Sequence, residues 1–205
     1  MDMKRALTAR DIINMQHDTF AMSGEWSDFM GQPEKVGVWF IWGNSGNGKS
    51  SFLMQLCREL CRYEDVLYNS LEEGTSLTMQ RSLQRHGMQH TDKRFHVVCE
   101  PLDVLTARLN KRGSPRVVVI DSFQYTQLTY KEYLAFRQRH KNRLIIFISH
   151  AEGKQPMGQA ARSVMYDATM KIWVEGYKAL SKGRFIGKKG EYVVWEEGAK
   201  RYWGT

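Results

Sequence analysis

No run of about 18 apolar residues occurs in this sequence, so no segment is fit to cross a membrane as a helix, and no membrane partner is expected. The opening stretch, "MDMKRALTARDIINMQ", has charges of both signs and lacks the apolar core of a secretory signal, which predicts a cytoplasmic location. Cysteine is scarce: three residues, an odd number, none in Cys-x-x-Cys spacing. That excludes a disulfide framework and argues against structural zinc, which takes four ligands in closely spaced pairs. Cys57, Cys61 and Cys99 are expected to be reduced thiols acting as small hydrophobes. His86 and His90 stand four apart, but Gly87 interrupts any helix that would align them, so both are expected at the surface. Acidic residues are in deficit, 22 against 30 basic ones, for a net charge of +8. A basic surplus favours a polyanionic partner, because neutralised phosphates release their counterions. Internal repeats and low-complexity tracts are absent as well.

What is present fits one α/β domain: 205 residues suffice for one full core and are too few for two. Thr8 followed by Asp11 resembles a helix cap and predicts a short helix over 8–16. The stretch "SGEWSDFMGQPEK" reads as a loop-rich lead-in, so that 1–35 forms an N-terminal helix and lead-in and 36–205 the domain. Strand-like apolar runs follow at 36–42, 65–70, 95–98, 116–121 and 143–149, separated by helix-like stretches at 49–62, 75–86, 101–112 and 129–140. Unalternated β-branched strands between helices predict a mostly parallel sheet covered on both faces. After residue 165 the texture changes to shorter strands joined by turns, which predicts antiparallel C-terminal additions, "EYVVWEEGAKRYW" among them.

The run "VGVWFIW" leads straight into "GNSGNGKS", Gly43 to Ser50, which satisfies the Gly-x-x-x-x-Gly-Lys-Ser pattern of a phosphate loop. Glycines let backbone N–H groups turn inward around phosphate oxygens. Lys49 brings a point charge to the β and γ phosphates, and the Ser50 hydroxyl can ligate Mg²⁺. The following helix aims its positive N-terminus at the same phosphates. The nucleotide-binding set is therefore Gly43, Asn44, Ser45, Gly46, Asn47, Gly48, Lys49, Ser50 and Ser51, with ATP and Mg²⁺ as ligands. "RVVVIDSF" ends a second apolar strand in Asp121, at the edge where ligands gather in open α/β sheets. Asp121 is expected to hold the Mg²⁺ together with Ser50.

At this point the sequence resembles the RecA-like ATPases, and within them the RadA/Sms-like and DnaB-type helicase branches, over roughly residues 36–190. The resemblance implies a RecA-like phosphate-loop fold. "NSLEEGTS" is similar to the segment that supplies the catalytic glutamate there, and position matches Glu72 to it. Glu73 suits another reading, an acidic residue in a helix's first turn. "IIFISHAEGK" is similar to the strand whose terminal polar residue senses the γ-phosphate, here His150, although a histidine ending an apolar strand can also be a core residue. "LSKGRFIG" resembles the Lys-x-Arg segment that reaches a neighbouring protomer's nucleotide, which implies Lys182 and Arg184 in that role; alone, Lys-Gly-Arg is a common exposed turn. The resemblance further implies self-association into rings or filaments. What the matched segments comprise is a bare motor core with a short N-terminal helix.

In RecA-like cores the loops after the two central strands bind single-stranded DNA. Here these are 122–131, with Phe123 and Lys131, and 151–162, with Lys154 and Arg162 and a flexible composition. Aromatic faces and positive charge suit single-strand binding, while Phe123 can simply be core and Arg162 can pair with Asp167 or face an interface. The sequence thus points to an oligomeric, DNA-stimulated ATPase of recombination, replication or repair. Two other classes fit the motifs: a switch whose ATP-driven assembly recruits another DNA-processing protein, and a small-molecule kinase, for which no arginine-bearing lid stands out.

Overall fold

The structure, a computed structural model, describes residues 5–204, so the first four residues of the opening segment lie outside it. Helices α1 (Ala9–Ile13) and α2 (Gly24–Met30) precede β1 (Gly37–Gly43). Next come α3 (Lys49–Leu60), β2 (Val66–Ser70), α4 (Leu77–Arg85), a 3-10 turn (Met88–His90), β3 (Phe95–Val98), α5 (Leu102–Leu109) and β4 (Val117–Asp121). They are followed by α6 (Phe123–Thr126), α7 (Tyr130–Arg139), β5 (Leu144–Glu152), β6 (Gln155–Pro156) and α8 (Gln159–Asp167). The remaining elements are β7 (Met170–Glu175), β8 (Lys178–Ser181), β9 (Glu191–Val193) and α9 (Glu196–Trp203).

The sheet runs in the order β3-β2-β4-β5-β1-β7-β8-β9. Every neighbour from β3 to β7 is parallel, and β7-β8 and β8-β9 are antiparallel. This is the mostly parallel sheet with antiparallel C-terminal strands that the unalternated runs predict. Alternate residues of β1 feed two cores. Trp39 and Ile41 pack with Phe52, Leu53 and Leu56 of α3, while Val38, Phe40 and Trp42 pack with Leu105 of α5, Tyr133 of α7 and Val164 of α8. Strands sealed on both sides have no polar face to show, which is why their sequences carry no period-two pattern.

Several local expectations are corrected. The lead-in contains α2, whose Phe29 and Met30 are fully buried and whose Trp26 stacks on Tyr192 at 4.4 Å. The supposedly flexible 151–162 stretch is a hairpin between β5 and β6 followed by the first turn of α8. "EYVVWEEGAKRYW" holds only one strand and then a helix, α9. Helix α1 is shorter than 8–16, although Thr8 and Asp11 do form the reciprocal cap. Cys57 and Cys61 are buried and unpaired; burial pushes the Cys61 thiol up to about 12 and holds the Cys57 thiol high as well, so neither is a nucleophile near neutral pH. Cys99, by contrast, is exposed.

Candidate active site

Parallel register brings the sequence-distant candidates to one edge. Gly43, the first residue of the phosphate loop, lies alongside His150 on β5, and Ser70 lies alongside Asp121 on β4. Because β5 sits between β1 and β4, His150 stands between the phosphate loop and Asp121. Glu72 follows Ser70 by two residues, and its N–H donates to the Asp121 carbonyl at 3.2 Å. A cleft of about 350 Å³ results, lined by Ser45, Gly46, Gly48, Lys49, Ser50 and Ser51 of the loop together with Glu72, Glu73, Asp121, His150 and Tyr177. Gly43, Asn44 and Asn47 do not line it; the two asparagines fasten the loop to its surroundings instead. The Asn44 amide donates to the Gly153 carbonyl at 3.1 Å. Asn47 Oδ1 accepts from the Gly176 N–H at 2.8 Å, and its carbonyl accepts from the Tyr177 N–H at 3.1 Å.

Gly48 caps α3 at φ 92°, and a Cβ there would come within 2.9 Å of the Tyr177 ring. Both the left-handed backbone and the close ring demand glycine. Helix α3 starts at Lys49, so its unsatisfied N–H groups point into the cleft.

The carboxylates are sorted by their partners. Glu72 Oε2 lies 3.2 Å from His150 Nε2, whereas Glu73 Oε2 accepts from the Thr78 hydroxyl at 3.1 Å, near the start of α4. Glu72 thus faces His150 and Glu73 is turned toward the start of α4, while both carboxylates line the cleft.

Asp121 is half-buried at the strand's end, and the loss of solvent around its carboxyl raises it above the ordinary aspartate value; the Tyr68 hydroxyl, which donates to Asp121 Oδ2, works in the opposite direction. The Tyr68 phenol is in turn pushed well up by burial and by the nearby carboxylate, so it remains a donor. A carboxyl raised in the folded state adds stability below its unfolded pKa and loses that contribution as pH rises through the folded value. The ionised form of Asp121 is thus disfavoured where it stands, and a cation placed beside it offsets that cost. Oxygen donors from Asp121 and Ser50 suit Mg²⁺, which binds through one or two protein ligands plus phosphates and water. Among the described residues no group of three His, Cys, Asp or Glu forms a ready-made metal cage.

Other candidates lie elsewhere. Lys182 and Arg184 are exposed on the turn after β8, with their N–H groups bonded to the carbonyls of Lys171 and Thr169. Thr169 meets Val38 at the start of β1, so this turn is about 16 Å from Gly43 along the strand. Gly183 between them is held 2.7 Å, measured from a notional Cβ, from the Met170 Cα, which forces glycine and leaves both charged side chains facing outward. They do not enter their own chain's cleft. Phe123 corrects an expectation: it is buried between Phe40, at 6.0 Å, and Phe147, at 5.4 Å, and offers no face to a base. Arg162 pairs with Glu152 at 3.2 Å and with the Pro156 carbonyl, not with Asp167, which is held by Arg137. Lys154, at the tip of the β5–β6 hairpin, and Lys131 on α7 are exposed.

Sequence reading missed Tyr68 and Tyr177. The first sits inside a strand where an aromatic reads as core, and the second meets Asn47 from far along the chain, next to Gly176, which lies 129 residues beyond that asparagine. Neither carries a local signal.

No protein-family model and no curated protein matches this sequence. Among solved structures the fold is similar to that of flagellar accessory protein FlaH from Methanocaldococcus jannaschii, with a TM-score of 0.58 over 85% of this chain and 90% of that one, at 17% identity. At that identity the likeness shows the fold alone, and that fold is RecA-like: helices around a mostly parallel sheet that ends in antiparallel strands.

Proposed function

We propose that this protein binds and hydrolyses ATP with Mg²⁺, and that it does so as a self-associating, DNA-associated ATPase of the RecA/RadA/DnaB type. The observation that carries the reading is convergence: Lys49, Ser50, Glu72, Asp121 and His150, from four separate segments, line one cleft at the C-terminal edge of a parallel sheet. Lys49 and the α3 N-terminus hold the β and γ phosphates. Ser50 and Asp121 would hold Mg²⁺, which would supply charge neutralisation for the transferred phosphoryl group. Glu72 orients the attacking water and takes its proton, and His150, in contact with that carboxylate, reports whether the γ-phosphate is present.

Lys182 and Arg184 point away from their own cleft, which suits donation to the cleft of a second copy. Nucleotide binding and assembly are then linked by mass action. The expected behaviour is a small particle without nucleotide and a ring or filament with a non-hydrolysable ATP analogue. Arg184→Ala binds ATP yet turns it over poorly, and mixing it with Lys49→Ala restores part of the activity, because Lys49→Ala subunits still present Arg184 to a neighbour. A rate per molecule independent of protein concentration, from a monomer under every nucleotide condition, would refute the in-trans role.

For DNA the exposed hairpin tip carries the reading. Binding to single strands weakens with salt in proportion to the phosphates neutralised, and Lys154→Ala lowers the log–log slope by about one while leaving ATP affinity unchanged. Filter binding across a salt series checks this; no binding to single- or double-stranded DNA at low salt with ATP present sinks it. The 3.2 Å Glu72–His150 contact favours a second use of the same site. A carboxylate engaged by an imidazole is less free to orient a water, and slow hydrolysis suits a switch that assembles with ATP and recruits another DNA-processing protein. ATPase rates with and without DNA separate motor from switch.

A further inference from the structure

A second cleft, of about 310 Å³, opens between α3 and α4 directly beside the active site. Ser50, Ser51, Glu73 and Asp121 line both. Its outer wall is α4, which contributes Thr78, Ser82, Arg81 and Arg85. Arg85 also lines a third cleft, of about 600 Å³, with Arg58, His86 and His90, so the two clefts adjoin at this side chain.

Both arginines are exposed on α4 and differ from the other arginines that line a cleft. Arg62 and Arg116 meet carboxylates, and Arg58 and Arg94 donate to backbone carbonyls. Among the described residues the side chains of Arg81 and Arg85 have no hydrogen bond or ion pair to the protein; Arg10, Arg112, Arg139, Arg184 and Arg201 share that, but none of them lines these clefts. Arg81 and Arg85 stand one helical turn apart, where like charges repel and an acidic neighbour would ordinarily relieve them. The carboxylates lining this second cleft are Glu73, engaged by Thr78, and Asp121, engaged by Tyr68. What remains is a pair of planar donor forks and the Ser82 hydroxyl on the wall of a cleft, a donor set that matches the oxygens of a phosphate group.

We propose that the α3–α4 groove is a second anion site, in which Arg81 and Arg85 bind a phosphate group next to the γ-phosphate position of the nucleotide. The ligand chemistry is a phosphate monoanion or dianion, supplied either as inorganic phosphate leaving the active site or as the backbone of a single strand lying along α3. Only the site's position relative to the nucleotide rests on the proposed ATPase reading; anion binding by the two arginines does not.

Equilibrium binding to the full chain loaded with saturating Mg-ADP, which fills the phosphate loop, tests this with two probes: radiolabelled inorganic phosphate and a fluorescent single-stranded oligonucleotide. At least one probe binds, and Arg81→Ala/Arg85→Ala weakens it by about tenfold or more with ADP affinity unchanged. Loss confined to phosphate identifies the released product as the ligand. Loss of oligonucleotide binding, with a log–log salt slope lower by about two, identifies the backbone. Absence of both probes from the ADP-loaded wild type, or equal binding by the double variant, overturns the site. If the wild type fails to bind ADP, the ATPase reading falls, while arginine-dependent phosphate binding by the unloaded protein still upholds the second site.

Discussion

Replacing Glu72 with glutamine leaves ATP binding intact and lowers turnover by about 10²–10⁴-fold, the usual contribution of a positioned general base. The amide keeps the shape of the carboxylate and its reach toward His150, 3.2 Å away in the native protein, but it cannot take the water's proton. The same change at Glu73 should do far less, since that side chain is committed to Thr78 at 3.1 Å. Single-turnover hydrolysis with trapped ATP distinguishes the two positions. Native turnover in Glu72→Gln, with the loss appearing in Glu73→Gln, would transfer the role to the second carboxylate.

Lys49→Ala acts on both nucleotide binding and the transition state. It removes the cation that faces the β and γ phosphates at the start of α3, and the expected cost is about 3–4 kcal/mol, on the order of 10²–10³-fold, in stabilising the transferred group. ATP affinity falls as well, because the helix N-terminus and Ser50 are left to hold the phosphates without a full charge. Folding should be untouched: the buried residues that bind α3 to the sheet begin at Phe52, beyond the substitution. Calorimetric titration with ATP analogues, beside a thermal melt, measures both halves. A variant that binds and hydrolyses ATP normally would remove the phosphate loop from the mechanism altogether.

The parallel half of the sheet and the inner ring of the cleft were legible because each rests on a local pattern. Apolar runs such as "RVVVID" cannot be half-exposed, and the glycine spacing of the phosphate loop answers to one backbone shape. What escaped was structure stabilised from a distance. Helix α2 has seven residues, too few to persist alone, and forms because Trp26 and Phe29 close on Tyr192 and Phe52. Helix α9 hides behind Gly198, a poor helix former that is required because a side chain there would strike the rings of Trp195 and Tyr177. Helix α8 begins immediately after Gly158, so a glycine- and proline-bearing stretch reads as loop although Ala161, Val164 and Met165 fill the core. Phe123 shows the converse: an aromatic beside a strand end looks available to a ligand until the opposing Phe40 and Phe147 are in place.

The asparagine tethers of the phosphate loop set a schedule for the chain as it is made. Asn44 meets a carbonyl 109 residues downstream, Trp42 one that lies 112 downstream, and Asn47 a turn 129 downstream. Contacts that far apart in sequence form slowly, since a long segment must lose its freedom before they repay it. The whole glycine-rich motif therefore leaves the ribosome well before the residues that brace it, and the loop acquires its final shape only after the β7–β8 turn has been synthesised and docked. On the proposed reading, nucleotide capture follows the docking of that turn, and a bound nucleotide then stabilises the completed fold by mass action.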